Sequence, residues 1–147
     1  MVKNKDDFEH KIKYLEMVQN IIDRMGRNSF AIKNWFVVAL SGILTLMFSQ
    51  GKTDVLWAGI CLSVFLWGLD VYYLNLERKY RIKYSDALIE KCALFDMDIS
   101  KIKTDTPILK LMFSKSVSLY WVGIIILLIS AYAETIKHVY NCLIICM

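Results

Sequence analysis

The composition of this 147-residue chain is more apolar than that of an ordinary soluble protein. Hydrophobic residues make up 56% of it and the mean hydropathy is +0.42, whereas soluble domains contain about 45–50% apolar residues. The net charge is +4, but acidic residues are interleaved with the basic ones, so no basic stripe for sequence-specific nucleic-acid binding is expected. Most apolar residues fall in three stretches. We therefore predict that residues 1–147 form a single membrane domain without a separate soluble core.

Residues 6–33 predict an amphipathic helix that leads into the first apolar stretch. Charged residues occupy one side of this helix, and Gly26 and Asn28 predict a bend before the membrane. The apolar residues recur at steps of three and four positions: Phe8, Ile12, Leu15, Val18, Ile22 and Met25.

Three further segments are predicted to form helices that cross a bilayer. A helix needs roughly 20 apolar residues to cross a hydrocarbon core about 30 Å thick. The first is 34–50, in a window with no charge between Lys33 and Lys52. The second is 55–76, which we expect to continue as a cytoplasmic helix to about residue 94. The third is 116–133, which has no charged residue. The predicted fold class is therefore an all-α integral membrane protein with a transmembrane hairpin, an extended second helix and a third transmembrane helix.

The remaining segments are a polar connector over 95–107 and an apolar tail over 134–147. Pro107, the only proline, suits the first position of a new helix, and Asp105 or Thr106 could cap it. A kink is expected near Ser114–Ser116. The tail is too short to cross on its own; it could lengthen the third span, lie at the membrane interface or pack on a neighbouring subunit.

The distribution of basic residues predicts the orientation. They concentrate at the N-terminus and between Arg78 and Lys115, whereas the turn after the first span holds only Lys52. The positive-inside rule then places the N-terminus and residues 77–115 in the cytoplasm and the C-terminus outside.

Asp70 is an ionisable residue at the edge of the second apolar stretch. Such residues inside a membrane are costly and face protein or water. Trp67 and Tyr73 lie one turn before and after it, which is typical of the headgroup level. Asp70 is therefore either a boundary residue paired with a nearby base or a buried polar contact that fixes helix packing or lines a pore vestibule.

The first span carries one row of polar side chains at steps of seven, four and four residues, which places them on one helical face. Hydroxyl groups in such a row can bond to their own helix or hold helices together; repeated around a ring of subunits, they could line a narrow pore. The row consists of Asn34, Ser41, Thr45 and Ser49.

Small residues on the three spans predict close helix packing, within one chain or between chains. Gly59 and Ser63 form a small-xxx-small pair on the second span, and Gly42 and Gly123 lie on the first and third.

Catalytic and metal-binding patterns are weak. The two histidines, His10 and His138, fall on opposite sides of the membrane in the predicted topology. Asp96-Met97-Asp98 matches a short DxD pattern that is common by chance. We therefore expect no enzymatic activity, no metal and no cofactor.

Two runs carry a resemblance to a known family: KYLEMVQNIIDRMGRNSFAIKNWFVVALSGI and FLWGLDVYYLNLERKYRIKYSDAL. The chain resembles, over about residues 12–88, the SLATT-like membrane proteins of bacterial anti-phage defence loci, which are two-helix units. Its third span lies outside the resemblance. The matching residues are Gln19, Asn20, Arg24, Met25, Asn28, Ser29, Phe30, Lys33 and Trp35, then Asp70, Tyr72, Tyr73, Leu74, Glu77, Arg78, Tyr80, Arg81 and Tyr84.

The resemblance implies an oligomeric effector that forms a pore in the bacterial inner membrane or disrupts that membrane when triggered. Its partners would be the lipid bilayer, further copies of itself, and a cytoplasmic defence protein or a nucleotide second messenger. Asp70, Glu77, Arg78 and Arg81 would form a polar collar between subunits. The alternative function is a membrane scaffold that recruits a cytoplasmic defence enzyme through residues 1–33 and 77–115.

Overall fold

The computed structural model describes the backbone of residues 5–50, 54–89, 97–100, 102, 104 and 107–145, and the side chains of most of these up to residue 136. Every regular element in these ranges is helical. Helix α1 is Lys5–Gln50, α2 is Asp54–Leu88, α3 is Ile108–Met112, and α4 is Ser118–Ile145 after a short 3₁₀ helix at Lys115–Val117.

Three of the described helices are long and apolar enough to cross a membrane, as judged by length and composition. They are Phe8–Ser49, Val55–Leu88 and Lys115–Ile136. The all-helical fold class is therefore confirmed at this level. Orientation in a bilayer remains a proposal.

Helix α1 is continuous where the sequence predicts a lead helix, a bend and a first span. The helical backbone passes through Gly26 and Asn28 without interruption. A glycine inside a helix costs only about 1 kcal/mol relative to alanine, and Met25 and Ser29 beside it are buried. Packing on both sides of Gly26 therefore outweighs its low helix propensity.

Helix α2 ends at Leu88 and is followed by a turn at Ile89. Its expected continuation to residue 94 lies outside the described residues, as do Asp105 and Thr106. Pro107 directly precedes α3, and its carbonyl accepts bonds from the amides of Lys110 and Leu111 at 3.0 and 3.3 Å. The expected kink near Ser114–Ser116 is a complete break between α3 and α4.

The tail continues the third span as helix. Helix α4 runs without a break from Ser118 to Ile145. The backbone of the tail is therefore helical as far as Ile145 and continuous with α4, and its place within the membrane, at the interface or on a neighbouring subunit stays a prediction.

The chain divides into two compact units. The first, called here the hairpin unit, comprises Met1–Phe30 and Asp70–Met112; the second, the apolar unit, comprises Ala31–Leu69 and Phe113–Met147.

The hairpin unit packs the start of α1 against the end of α2 in antiparallel fashion. Its core consists of Tyr14, Val18 and Ile22 with Ala87 of α2. Steps of four residues along α1 keep these side chains on one face, and each large apolar side chain buried there contributes about 1.5–3 kcal/mol.

Two lysines of the hairpin unit donate hydrogen bonds to backbone carbonyls of the same unit. The ammonium group of Lys11 donates to the carbonyl of Leu88 at 3.4 Å. Leu88 is the last residue of α2. A cation is favourable there because the final carbonyls of a helix have no partner within it. Lys83 is buried and donates to the carbonyl of Asp98 at 3.0 Å, which holds the connector against α2.

The apolar unit packs α1, α2 and α4 through Met47, Leu56 and Leu127. Phe36 of α1 contacts Tyr120 of α4 with ring centroids 4.7 Å apart. At a second aromatic contact, the indole of Trp121 stacks on Phe113 and meets the edge of Trp67, each at 5.3 Å.

Candidate functional site

A buried hydrogen bond joins α1 and α2 inside the hairpin unit. The hydroxyl of Ser29 donates to the Oδ1 atom of Asp70. Asp70 is fully buried and Ser29 is 5% exposed. A buried acceptor that loses such a donor keeps its desolvation cost, so the two side chains stabilise the hairpin as a pair.

The sequence pattern explains why Ser29 reaches Asp70. The buried residues of α1 in this unit recur at steps of four, four, three and four, which keeps them on one face of the helix: Tyr14, Val18, Ile22, Met25 and Ser29. Ser29 is the polar member of this seam. The sequence offers one signal for Ser29, its position four residues after Met25 in the apolar repeat.

The other residues of the predicted collar lie on the next turns of α2. Glu77 and Arg81 form an ion pair within the helix at 2.7 Å, with side-chain exposures of 16% and 64%. Arg78 is half-buried. The position that a Cβ atom would occupy on Gly26 is 3.9 Å from the Oε2 atom of Glu77, so α1 passes close to this carboxylate. The structure therefore places Asp70 and Glu77 against α1 of the same chain.

The polar row of the first span lies on the surface of the single chain. Asn34, Ser41, Thr45 and Ser49 are all exposed. The hydroxyl of Ser41 donates to the carbonyl of Val37, and that of Thr45 donates to the carbonyl of Ser41, each at 2.8 Å. Since each hydroxyl has one hydrogen and two lone pairs, both oxygens can still accept a bond from water or a neighbouring chain.

The four small residues differ in their surroundings. A Cβ atom on Gly59 would lie 3.1 Å from Ile43, and one on Gly123 would lie 2.4 Å from Phe36, whereas one on Gly42 would meet nothing within 4 Å. Ser63 is buried and donates to the carbonyl of Gly59 at 2.7 Å. Within one chain, the close approaches thus occur at Gly59 and Gly123.

The hairpin unit also has an open groove of about 480 Å³ between α1 and α2. Its lining combines apolar and aromatic side chains with a carboxylate and two amides. The lining residues are Ile12, Leu15, Glu16, Gln19, Asn20 and Tyr84. Such a mixture suits a peptide segment or a small polar ligand with an apolar part.

Among the described residues, no three His, Cys, Asp or Glu side chains come together in a way that could hold a metal ion. His10 is exposed on α1. The side chains of Asp96 and His138 lie outside the described part of the chain.

Comparisons of this chain with protein-family models, with curated proteins and with solved structures found no match.

Proposed function

We propose that this protein is an oligomeric membrane effector of bacterial anti-phage defence that forms a pore in the inner membrane, or disrupts that membrane, when triggered. The observation that carries the proposal is the exposed polar row on the first apolar helix, Asn34, Ser41, Thr45 and Ser49. The resemblance of residues 12–88 to the SLATT-like proteins supplies the biological setting.

Physical chemistry supports an oligomer as the conducting species. Three helices of one chain are too few to enclose water, so a polar row on the outer surface of the chain can line a path only when several copies face a common axis. Short side chains leave room for water, whereas leucine or phenylalanine would close the path. The free lone pairs of Ser41 and Thr45 could then accept hydrogen bonds from that water.

The proposal places the hairpin unit in the cytoplasm of the bacterial cell, since the basic residues concentrate there. A trigger would act on this unit, and its source would be a cytoplasmic defence protein or a nucleotide second messenger. Of the predicted collar residues, Arg78 and Arg81 would meet the neighbouring subunit beside the membrane, since Arg78 is half-buried and the side chain of Arg81 is 64% exposed. Asp70 is fully buried in its own chain and would not reach that subunit. No catalytic step is part of the proposal.

The test is membrane potential in phage-infected bacteria that express the chain with its neighbouring genes. Wild-type cells should depolarise before phage release, and the purified protein should form oligomers in native mass spectrometry. If triggered wild-type cells keep their membrane potential, the proposal fails.

A membrane scaffold is the second candidate, favoured by the groove around Tyr84 and by the exposed Phe8, which lies four residues before Ile12 of the groove lining on α1. A photoreactive amino acid at Gln19, which lines the groove, should crosslink a cytoplasmic defence enzyme if this function is correct. Recovery of that enzyme together with an unchanged membrane potential would favour the scaffold over the pore.

A further inference from the structure

The short segment that precedes the third apolar helix exposes large apolar side chains. Helix α3, Ile108–Met112, is followed by a turn at Phe113. Leu109 and Phe113 are each 68% exposed, and Ile108 is exposed as well. Residues 108–115 are called here the α3 segment.

The two sides of α3 differ from those of an ordinary surface helix. Leu111 is only 2% exposed, so the rest of the chain covers this side of α3. Leu109 is two positions away, about 200° around the helix, and therefore lies on the opposite side. The side of α3 that its own chain leaves uncovered is thus apolar, as in helices that lie in a membrane interface.

The α3 segment carries basic residues and no acidic one. Lys110 and Lys115 are both exposed, and the sequence has no aspartate or glutamate between Pro107 and Ala133. Each lysine near an anionic membrane surface strengthens attachment about fivefold. A lysine can also lay its methylene groups along an apolar surface while its ammonium group stays in water.

The α3 segment leads directly into a helix that we propose to cross the membrane. The uncharged stretch of that helix begins immediately after Lys115. Phe113 stacks on Trp121 of α4 with ring centroids 5.3 Å apart, and tryptophan is enriched at the headgroup level of membranes. When α4 crosses the bilayer, Phe113 therefore lies close to the lipid headgroups.

A second copy of the chain fits this surface less well than lipid does. A standard protein interface buries roughly 800 Å² on each partner. Even at about 250 Å² each, the most that a large aromatic side chain buries, the three exposed apolar side chains of the α3 segment stay below that area. Lysine is also depleted at interfaces between proteins, whereas this segment exposes two lysines.

We propose that the α3 segment binds the surface of an anionic bilayer, with Leu109 and Phe113 inserted among the lipids and Lys110 and Lys115 at the phosphate groups. In the proposed orientation, this surface is the cytoplasmic leaflet. The proposal rests on membrane insertion of α4, which is part of the proposed function, but not on pore formation.

The test uses spin labels on single cysteines of the full chain, otherwise free of cysteine, in vesicles of phosphatidylglycerol and phosphatidylcholine. Power saturation compares the access of oxygen, which concentrates in hydrocarbon, with that of a water-soluble nickel complex. Oxygen should reach a label at Leu109 more readily than the nickel complex does, and the order should reverse at Ser100, which is exposed in the connector. A label at Ile125, exposed on α4, reports the insertion of the span itself.

Charge variants test the selection of an anionic surface. Lys110→Gln combined with Lys115→Gln should lower the ratio of attached to detached segment in these vesicles by about 25-fold, fivefold for each lysine. Lys13→Gln combined with Arg24→Gln is the matched control, because it removes two charges from exposed positions of α1 and should leave the ratio unchanged. In vesicles of phosphatidylcholine alone, the two double variants should behave alike.

The labels separate the possible failures. Water exposure at Leu109 with lipid exposure at Ile125 would overturn this proposal alone, whereas water exposure at both positions would overturn membrane insertion as well. A label at Leu109 that neither reagent reaches would identify a protein surface as the occupant and would also overturn the proposal, as would equal losses in the two double variants. Circular dichroism checks the folding of each variant, and a label at Ile108 repeats the measurement at a second exposed position.

Discussion

Ser29 donates a hydrogen bond to Asp70 across the antiparallel hairpin formed by α1 and α2. The two residues are 41 positions apart in the sequence, and both are buried. This contact is the polar layer of an otherwise apolar seam. In coiled coils, a single buried polar position of this kind fixes the register of the helices.

We first predict that Asp70→Ala lowers stability and assembly more than Asp98→Ala. The first substitution leaves the Ser29 hydroxyl buried without its acceptor, which costs about 1–3 kcal/mol. Asp98 is exposed, and its side chain accepts a bond from the amide of Ser100 at 2.8 Å, within the connector. Thermal unfolding in detergent and native mass spectrometry measure the two effects.

A double-mutant cycle isolates the pair itself. Ser29→Ala and Asp70→Ala together should destabilise the protein by less than the sum of the single substitutions, because either one already removes the bond. Residues in contact typically show a coupling of about 0.5–3 kcal/mol. Additive effects would mean that the two side chains act separately.

Our second prediction concerns glycine positions on two apolar helices. Gly123→Ala should destabilise the protein by about 1–3 kcal/mol, the usual cost of overpacking, since the new methyl group would approach within 2.4 Å of Phe36. Phe36 cannot move freely because it is buried against Tyr120. Unfolding temperatures in one detergent provide the measurement.

The control for this prediction is Gly42→Ala. A methyl group there meets nothing within 4 Å, and alanine is the better helix former by about 1 kcal/mol. It should leave the monomer unchanged or slightly more stable. If the variant instead dissociates oligomers, Gly42 packs between subunits.

The third prediction addresses the pore. Thr45→Trp should block depolarisation after the defence trigger without abolishing oligomers, because a large ring would occupy the polar face. Leu46→Trp is the matched substitution, placed about 100° around the helix. Both positions are exposed in the single chain, so both variants should fold. Equal depolarisation by the two variants would remove the polar row from the conduction path.

The fourth prediction concerns topology. In a chain without its own cysteines, single cysteines at Glu9 and Ser100 should be protected from a membrane-impermeant thiol reagent in intact cells. A cysteine at Lys52 should react, since the positive-inside rule places that turn outside. Labelling at Glu9 would invert the proposed orientation and move the hairpin unit out of the cytoplasm.

The helices could be predicted from the sequence because each depends on local information. Uncharged windows of about 20 residues mark the helices. Steps of three and four residues mark only part of the buried side of α1, since Val18, Ile22 and Met25 are buried but Phe8 and Ile12 of the predicted face are exposed. The pairing of Ser29 with Asp70 could not be predicted, because it depends on the register between two distant segments. The charge of Asp70 stands out in an apolar stretch, but a hydroxyl partner leaves no charge pattern in the sequence.

The continuity of α1 could not be predicted for a related reason. Gly26 and Asn28 have low helix propensity, and local reasoning predicts a bend at them. Their neighbours Met25 and Ser29 are both buried within the hairpin unit, and this tertiary contact maintains the helix. The surroundings of Gly42, Gly59 and Gly123 differ for the same reason: a glycine in the sequence does not reveal which side chain faces it.

The seam of α1 also limits how this protein can change in length during evolution. One residue inserted between Tyr14 and Ser29 would rotate everything beyond it by about 100° and would turn either the apolar side chains or the serine away from α2. An insertion of seven residues would nearly restore the facing side. Eleven residues would do so equally well, so natural variants of this chain should differ in length here by seven or eleven residues, and single-residue gaps should be confined to the connectors.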